Sequence, residues 1–142
     1  MKEKVLLVDD EKDFLEIMVE RMSARGMEVT TATSALGAIK LIENQPYDVI
    51  ILDLMMPEMD GLEALKVIKE KRPDSEIILL TGHATVEKGI EAMKLGAMDL
   101  IEKPADLKAL TEKIKKAQAH KMIIVEKKAE EKVRSIIASK GW

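Results

Sequence analysis

Apolar and β-branched residues fall into five short unbroken runs, separated by longer stretches where apolar positions recur every three or four residues. The runs are Lys4–Val8, Glu28–Ala32, Asp48–Leu52, Glu76–Leu80 and Met98–Ile101. Runs of this length and composition predict strands. Between them, Glu11–Arg25 sets Phe14, Leu15, Met18 and Met22 at helical spacing, and Gly26 supplies a stop, since glycine tolerates the left-handed cap conformation. Ser34 is placed to cap a second helix that should bury Leu36, Ile39 and Ile42 and end near Asn44. Gly61–Lys71 predicts a third helix, closed by Arg72-Pro73, Val86–Leu95 a fourth, and Ala105 onward a fifth.

Strands that are apolar on both faces and alternate with helices imply a parallel sheet covered on each side. Crossovers between parallel strands are right-handed, so the expected fold is α/β, an open doubly wound sheet. Ligands in such sheets sit beyond the carboxyl ends of the strands.

With 142 residues the chain suits one domain, expected over 1–118, with a helical extension over 119–142. Residues 1–118 carry 17 Lys/Arg against 23 Asp/Glu, a net −6, and residues 119–142 carry 6 against 3, a net +3. An acidic globular part argues against direct nucleic-acid binding. The aromatics are Phe14, Tyr47 and Trp142, too few for a base-stacking platform. With no cysteine, disulfides and thiol chemistry are excluded. No apolar run approaches the ~18 residues of a membrane span, and no signal peptide is legible, so a cytoplasmic protein is expected.

The predicted strand ends gather chemistry on one edge. The first ends in Asp9-Asp10, the third in Asp53, the fourth in Thr81-Gly82 and the fifth in Lys103-Pro104. Adjacent carboxylates repel one another, and burial makes this worse. A hard divalent cation with oxygen ligands, Mg²⁺ first among them, would relieve the repulsion, and Lys103 adds a further positive charge. The set suits phosphoryl transfer, with Asp53 as nucleophile and Lys103 and the Thr81 hydroxyl meeting phosphoryl oxygens. Gly82 leaves room for the group to enter. Taken singly, Asp10 also reads as a helix cap and Asp53 as a turn residue.

The stretches VLLVDDE (5–11), VIILDLMMPEMDG (49–61), ILLTGHA (78–84) and GAMDLIEKP (96–104) resemble, in order, the receiver domain of two-component response regulators. The resemblance covers roughly residues 4–118. It implies the flavodoxin-like (βα)5 fold with strand order 2-1-3-4-5, and a phosphoryl group taken from a histidine kinase onto Asp53. It also implies Mg²⁺ held by Asp10, Asp53 and the Met55 carbonyl, with Asp9 acting through water. Thr81 would be the switch hydroxyl, Lys103 the phosphate-pairing lysine, and Lys103-Pro104 a cis peptide. Leu100 stands where the family commonly has Tyr or Phe, which puts the link from phosphorylation to the output surface in question. Met55 and His83 flank the path of an attacking water and should tune phosphoryl lifetime. His120 is expected to be solvated on its helix. The protein would thus be a switch rather than an enzyme acting on other substrates, passing its signal to an output or phosphotransfer protein. An aspartyl phosphatase of the haloacid dehalogenase type would need an acid at position 55 to protonate the leaving group, and Met55 cannot serve. A docking module that never carries phosphate would not need Asp53, Asp10 and Lys103 together.

No Gly or Pro interrupts 105–140, and Leu107, Leu110, Ile114, Ala117, Met122, Val125, Ala129, Val133 and Ile136 stay in helical phase. One helix from about Ala105 to about Ser139 is expected, half of it projecting past the domain. Its apolar stripe needs cover, and a second copy of the chain, paired as a nearly straight two-helix coiled coil, would supply it. The alternative is a break near Ala119–Lys121 with the tail folded back.

Overall fold

The structure is a computed structural model and describes residues 2–56, 59–82, 86–104 and 106–139. Five strands alternate with five helices: β1 Lys4–Val8, α1 Lys12–Ala24, β2 Glu28–Ala32, α2 Ala35–Asn44, β3 Val49–Asp53, α3 Gly61–Lys71, β4 Glu76–Thr81, α4 Val86–Lys94, β5 Asp99–Glu102 and α5 Leu107–Ser139. The strands form one parallel sheet in the order β2-β1-β3-β4-β5. This is the flavodoxin-like doubly wound arrangement.

Side chains alternate across each strand, so the apolar runs feed two cores at once. Leu6, Val8, Ile50, Leu52, Ile77 and Leu79 face α2, α3 and α4, whose Ile39, Ile42, Leu65, Ile68 and Ala92 close that side. Val5, Leu7, Val49, Ile51, Ile78 and Leu80 face the other way, onto Leu15, Met18 and Met22 of α1 and Leu110, Ile114 and Ala117 of α5. Burial on both faces is why these strands carry no polar alternation.

Local signals explain several boundaries. Ser34 Oγ accepts the Gly37 N–H at 3.0 Å and starts α2. Gly26 has φ +86° and ends α1. Gly61 is required by space: a Cβ there would stand 2.5 Å from the Leu54 Cα. That close approach ties the start of α3 to the loop after β3, where the Gly61 N–H donates to the Leu54 carbonyl at 3.1 Å. Leu36 departs from expectation. It is 53% exposed, and small Ala35 and Ala38 take its place in the core beside Ile39 and Ile42, because α2 turns a slightly different face to the sheet.

α5 runs unbroken for 33 residues, about 50 Å at 1.5 Å per residue. No break falls at 119–121. The second half, however, does not project freely from its first residue. Gln118 Nε2 donates to Asp48 Oδ2 at 3.3 Å, Lys121 Nζ to the Tyr47 carbonyl at 2.6 Å, and Lys128 pairs with Asp74. His120 is not simply solvated: its Nδ1 lies 2.5 Å from Glu76 Oε1, a buried carboxylate at the start of β4. These polar side chains reach back to the amino-terminal edge of the sheet and hold the helix against it. None of the described helices is long and apolar enough to cross a membrane.

Candidate functional site

Buried polar side chains mark the carboxyl edge of the sheet. Asp9, Asp53 and Thr81 are buried there, Asp9 only 1% and Asp53 only 4% exposed. Register explains the first two: Val8 of β1 lies opposite Leu52 of β3, so the next residues, Asp9 and Asp53, leave the sheet side by side. Asp10 follows at the surface, and carboxylate oxygens of Asp9, Asp10 and Asp53 all lie within 4.8 Å of one another.

Asp9 is fixed by its neighbours. Its Oδ1 accepts the Glu11 N–H at 2.9 Å at the entry to α1. Its Oδ2 accepts Lys103 Nζ at 2.7 Å. This is a turn before α1 rather than a cap: the N-cap residue is Glu11, and neither Asp9 nor Asp10 caps the helix. Asp53 Oδ1 accepts the Met55 N–H at 3.2 Å, an Asx turn, so the turn reading of Asp53 holds alongside the chemical one.

Lys103 arrives from the end of β5. Its N–H donates to the Thr81 carbonyl at 2.7 Å, and the Lys103–Pro104 peptide is cis. The ammonium stands 3.9 Å from Asp53 Oδ2, 3.8 Å from Glu11 Oε1 and 4.4 Å from the centre of the Phe14 ring. It is thus bound to Asp9 and within reach of Asp53. Burial lowers the proton affinity of Lys103, but the bond to Asp9 and the charges of Asp53, Asp9 and Glu11 outweigh it and hold the pKa above its usual value. Asp53 is pushed up from 3.8 to about 6, first by burial; the Met55 N–H bond pulls it down, Asp9 pushes it up, Lys103 pulls it down and Asp10 pushes it up.

Thr81 closes β4, fully buried and opposite Glu102 of β5. A Cβ at Gly82 would meet nothing within 4 Å, so space stands open there. Leu100 is half-buried on the α4 side, its Cδ2 3.5 Å from where a Gly89 Cβ would stand. His83 lies outside the described residues. Met55 is 61% exposed and its Sδ lies 3.7 Å from Lys88 Nζ. Lys88 and Met55 line an open pocket of about 500 Å³ with Asp10, Leu54, Met56 and Asp60. Sequence reasoning missed Glu11, Phe14 and Lys88 as members of this edge. The signal was present for each: Glu11 and Phe14 begin the helix that follows Asp9-Asp10, and Lys88 lies at the start of the helix that follows Thr81.

The donor set fits Mg²⁺. Three carboxylates face one another with hard oxygen atoms, and the nearest ammonium is already bound to one of them. Asp9, Asp10 and Asp53 are the side chains that would hold the cation.

Comparison with known proteins agrees with this geometry. The sequence matches the family described as the response regulator receiver domain over residues 5–115. The chain belongs to that family, the phosphorylation-activated signalling switches of two-component systems. It is 35% identical over 107 residues to the photosynthetic apparatus regulatory protein RegA of Cereibacter sphaeroides, covering 75% of this chain and 58% of RegA. It is 34% identical over 116 residues to the transcriptional regulatory protein ZraR of Escherichia coli K12, covering 82% of this chain and 26% of ZraR. A crystal structure of a response regulator receiver domain protein from Clostridium thermocellum superposes with a TM-score of 0.82 at 32% identity, covering 86% of this chain and 98% of that one. The chain therefore spans about a quarter of ZraR and rather more than half of RegA.

Proposed function

We propose that Asp53 is the phosphoacceptor and that the protein takes its phosphoryl group from a phosphohistidine of a histidine kinase in the cytoplasm. The observation that supports this most is the pairing of a buried strand-end carboxylate with an ammonium at 3.9 Å, inside a cluster of three acids. An Asp53 carboxylate oxygen attacks phosphorus, the P–N bond breaks, and its electron pair leaves with the imidazole, which takes up a proton. The Met55 N–H orients the attacking carboxylate through its bond to Oδ1. Lys103 moves from Asp9 toward the arriving phosphoryl oxygens, and the Thr81 hydroxyl turns to another. A Mg²⁺ ion held by Asp10, Asp53 and the Met55 carbonyl, with Asp9 acting through water, would neutralise charge on the phosphoryl oxygens. The only reactions the chain would catalyse are its own phosphorylation and dephosphorylation. Labelling with acetyl phosphate and Mg²⁺, followed by intact mass, tests this. The wild type and Asp48→Asn should gain one phosphoryl group, and Asp53→Asn or chelation of Mg²⁺ should abolish the gain. Full labelling of Asp53→Asn would refute the assignment.

We propose further that residues 1–118 form the receiver unit and that α5 beyond it pairs with a second copy. Beyond Leu110, Ile114 and Ala117, which pack against the sheet, the helix carries Met122, Val125, Val133 and Ile136 on a neighbouring face, each about half exposed. Removing that stripe from water favours a homodimer along the extension. The signal then passes to an output or phosphotransfer protein through the surface that Asp53 controls.

A further inference from the structure

The exposed apolar stripe of α5 repeats at a fixed interval. Met122 and Val125 are followed eleven residues later by Val133 and Ile136, with Ala129 between them. An eleven-residue repeat corresponds to ~3.67 residues per turn, so the stripe runs almost along the helix axis, and two such helices pair as a straight or faintly right-handed coil. The stripe lies about a quarter turn from the face that buries Leu110, Ile114 and Ala117 on the sheet and sends Lys121 and Lys128 back to the domain. A partner helix can therefore lie along it without displacing the receiver core. At its base Met122 and Val125 line an open groove with Asp48, Lys121 and Glu126. Toward the core the same line carries Gln118 and Lys115. The apolar seam ends there, and paired helices would part and leave room for two cores.

The stripe alone does not choose an orientation. It is nearly symmetric about Ala129: Met122 mirrors Ile136 and Val125 mirrors Val133, so apolar side chains meet apolar ones whether the second helix runs parallel or antiparallel. The flanks are not symmetric. Glu126 and Glu130 lie along one side of the stripe and Lys128 and Lys132 along the other, all four exposed. In a parallel pair related by a two-fold axis along the coil, the acidic flank of each helix meets the basic flank of the other. In an antiparallel pair each flank meets its own copy, which sets Glu126 against the partner's Glu130 and Lys128 against the partner's Lys132. Like charges so placed repel. Lys128 also pairs with Asp74 of its own chain, which leaves the two acids and Lys132 as the main charges of the contact. Resting on the reading that the extension pairs with a second copy, we propose that the two helices run parallel and in register, their direction set by these flanks. Both receiver cores then sit at one end of the coil. Because α5 passes the amino-terminal edge of the sheet before it pairs, both Asp53 edges face away from the coil in the same direction.

The chain has no cysteine, so disulfide trapping reads the orientation directly. Full-length Val125→Cys and Val133→Cys are mixed in equal amounts, left to exchange subunits and oxidised slowly. Links should join like positions, 125 with 125 and 133 with 133, and links of 125 with 133 should stay below about a tenth of the total, since a disulfide needs its two Cβ atoms about 4 Å apart. An antiparallel pair sets 125 against 133, so a majority of such links would overturn the parallel assignment while leaving the pairing itself intact. A dimer by light scattering that forms neither kind of link, or a monomer, would overturn the pairing and this inference with it. The flanks are tested separately. Glu126→Lys/Glu130→Lys should raise the dimer dissociation constant about five- to twentyfold at low salt, the effect of a few exposed charge pairs, and less at high salt. In an antiparallel pair the same change replaces like charges by like charges, so an unaltered dissociation constant would overturn the role of the flanks.

Discussion

Asp53 is the residue where packing and chemistry conflict. Its carboxylate is buried beside Asp9, yet as the proposed phosphoacceptor it has to be ionised to attack phosphorus. The native fold raises its pKa to about 6, whereas the unfolded chain leaves it near 3.8. Between about pH 4 and pH 6 the native state therefore holds a proton that the unfolded state has lost. Asp53 makes the metal-free protein more stable as pH falls through that window, and the advantage disappears as pH rises past 6. A shift of this size corresponds to roughly 3 kcal/mol at most. Asp53→Asn should thus stabilise the metal-free protein at pH 7 by about 1–3 kcal/mol. Denaturant unfolding of both proteins at pH 4, 5, 6 and 7 should show the gap between them widening with pH. Parallel curves would mean that burial does not strain this carboxylate.

Among the elements, α4, β5 and α5 form the face through which the proposed switch would signal. Leu100 fills a half-buried position under α4, its Cδ2 3.5 Å from where a Gly89 Cβ would stand, an ordinary contact distance. A leucine has neither the reach nor the hydroxyl of the aromatic residue common at this position, so on the proposed switch it would transmit less of any movement at Thr81. Leu100→Tyr should enlarge the phosphorylation-dependent chemical-shift changes across α4, β5 and α5. Changes of equal size in both proteins would remove residue 100 from the switch. The elements themselves were legible because buried parallel strands leave apolar runs and helices leave their own period. β1 and β2 fall where the pattern puts them. β3 and β4 each extend one residue further, to Asp53 and Thr81, because strand hydrogen bonding continues into polar residues that a hydrophobicity pattern excludes. The site was legible as a set of strand ends, since the sheet topology alone brings them to one edge. The partners of Lys103 were not: its bond to Asp9 and its place over Phe14 depend on side-chain reach, which has no sequence period. The contact of His120 with Glu76 was hidden for the same reason, being a side-chain hydrogen bond across 44 positions.

Over the whole molecule, one long helix both packs on the sheet and carries further apolar residues beyond it. The half that packs on the sheet stabilises the fold, and the other half remains exposed from Met122 to Ile137. The polar contacts of Gln118, His120, Lys121 and Lys128 fix the direction in which the helix leaves the core. Light scattering at tens of micromolar should give a dimer for the full chain and a monomer for a version ending at Gln118. Two monomers would rule out pairing through the extension. The whole design presupposes that one buried acid receives the phosphoryl group, and locating that acid chemically is the most direct test. Borohydride reduction of the acetyl phosphate-treated protein converts an aspartyl phosphate to homoserine. Peptide sequencing by mass spectrometry should find homoserine at position 53 and nowhere else; homoserine at another acid, or at none, would contradict the account.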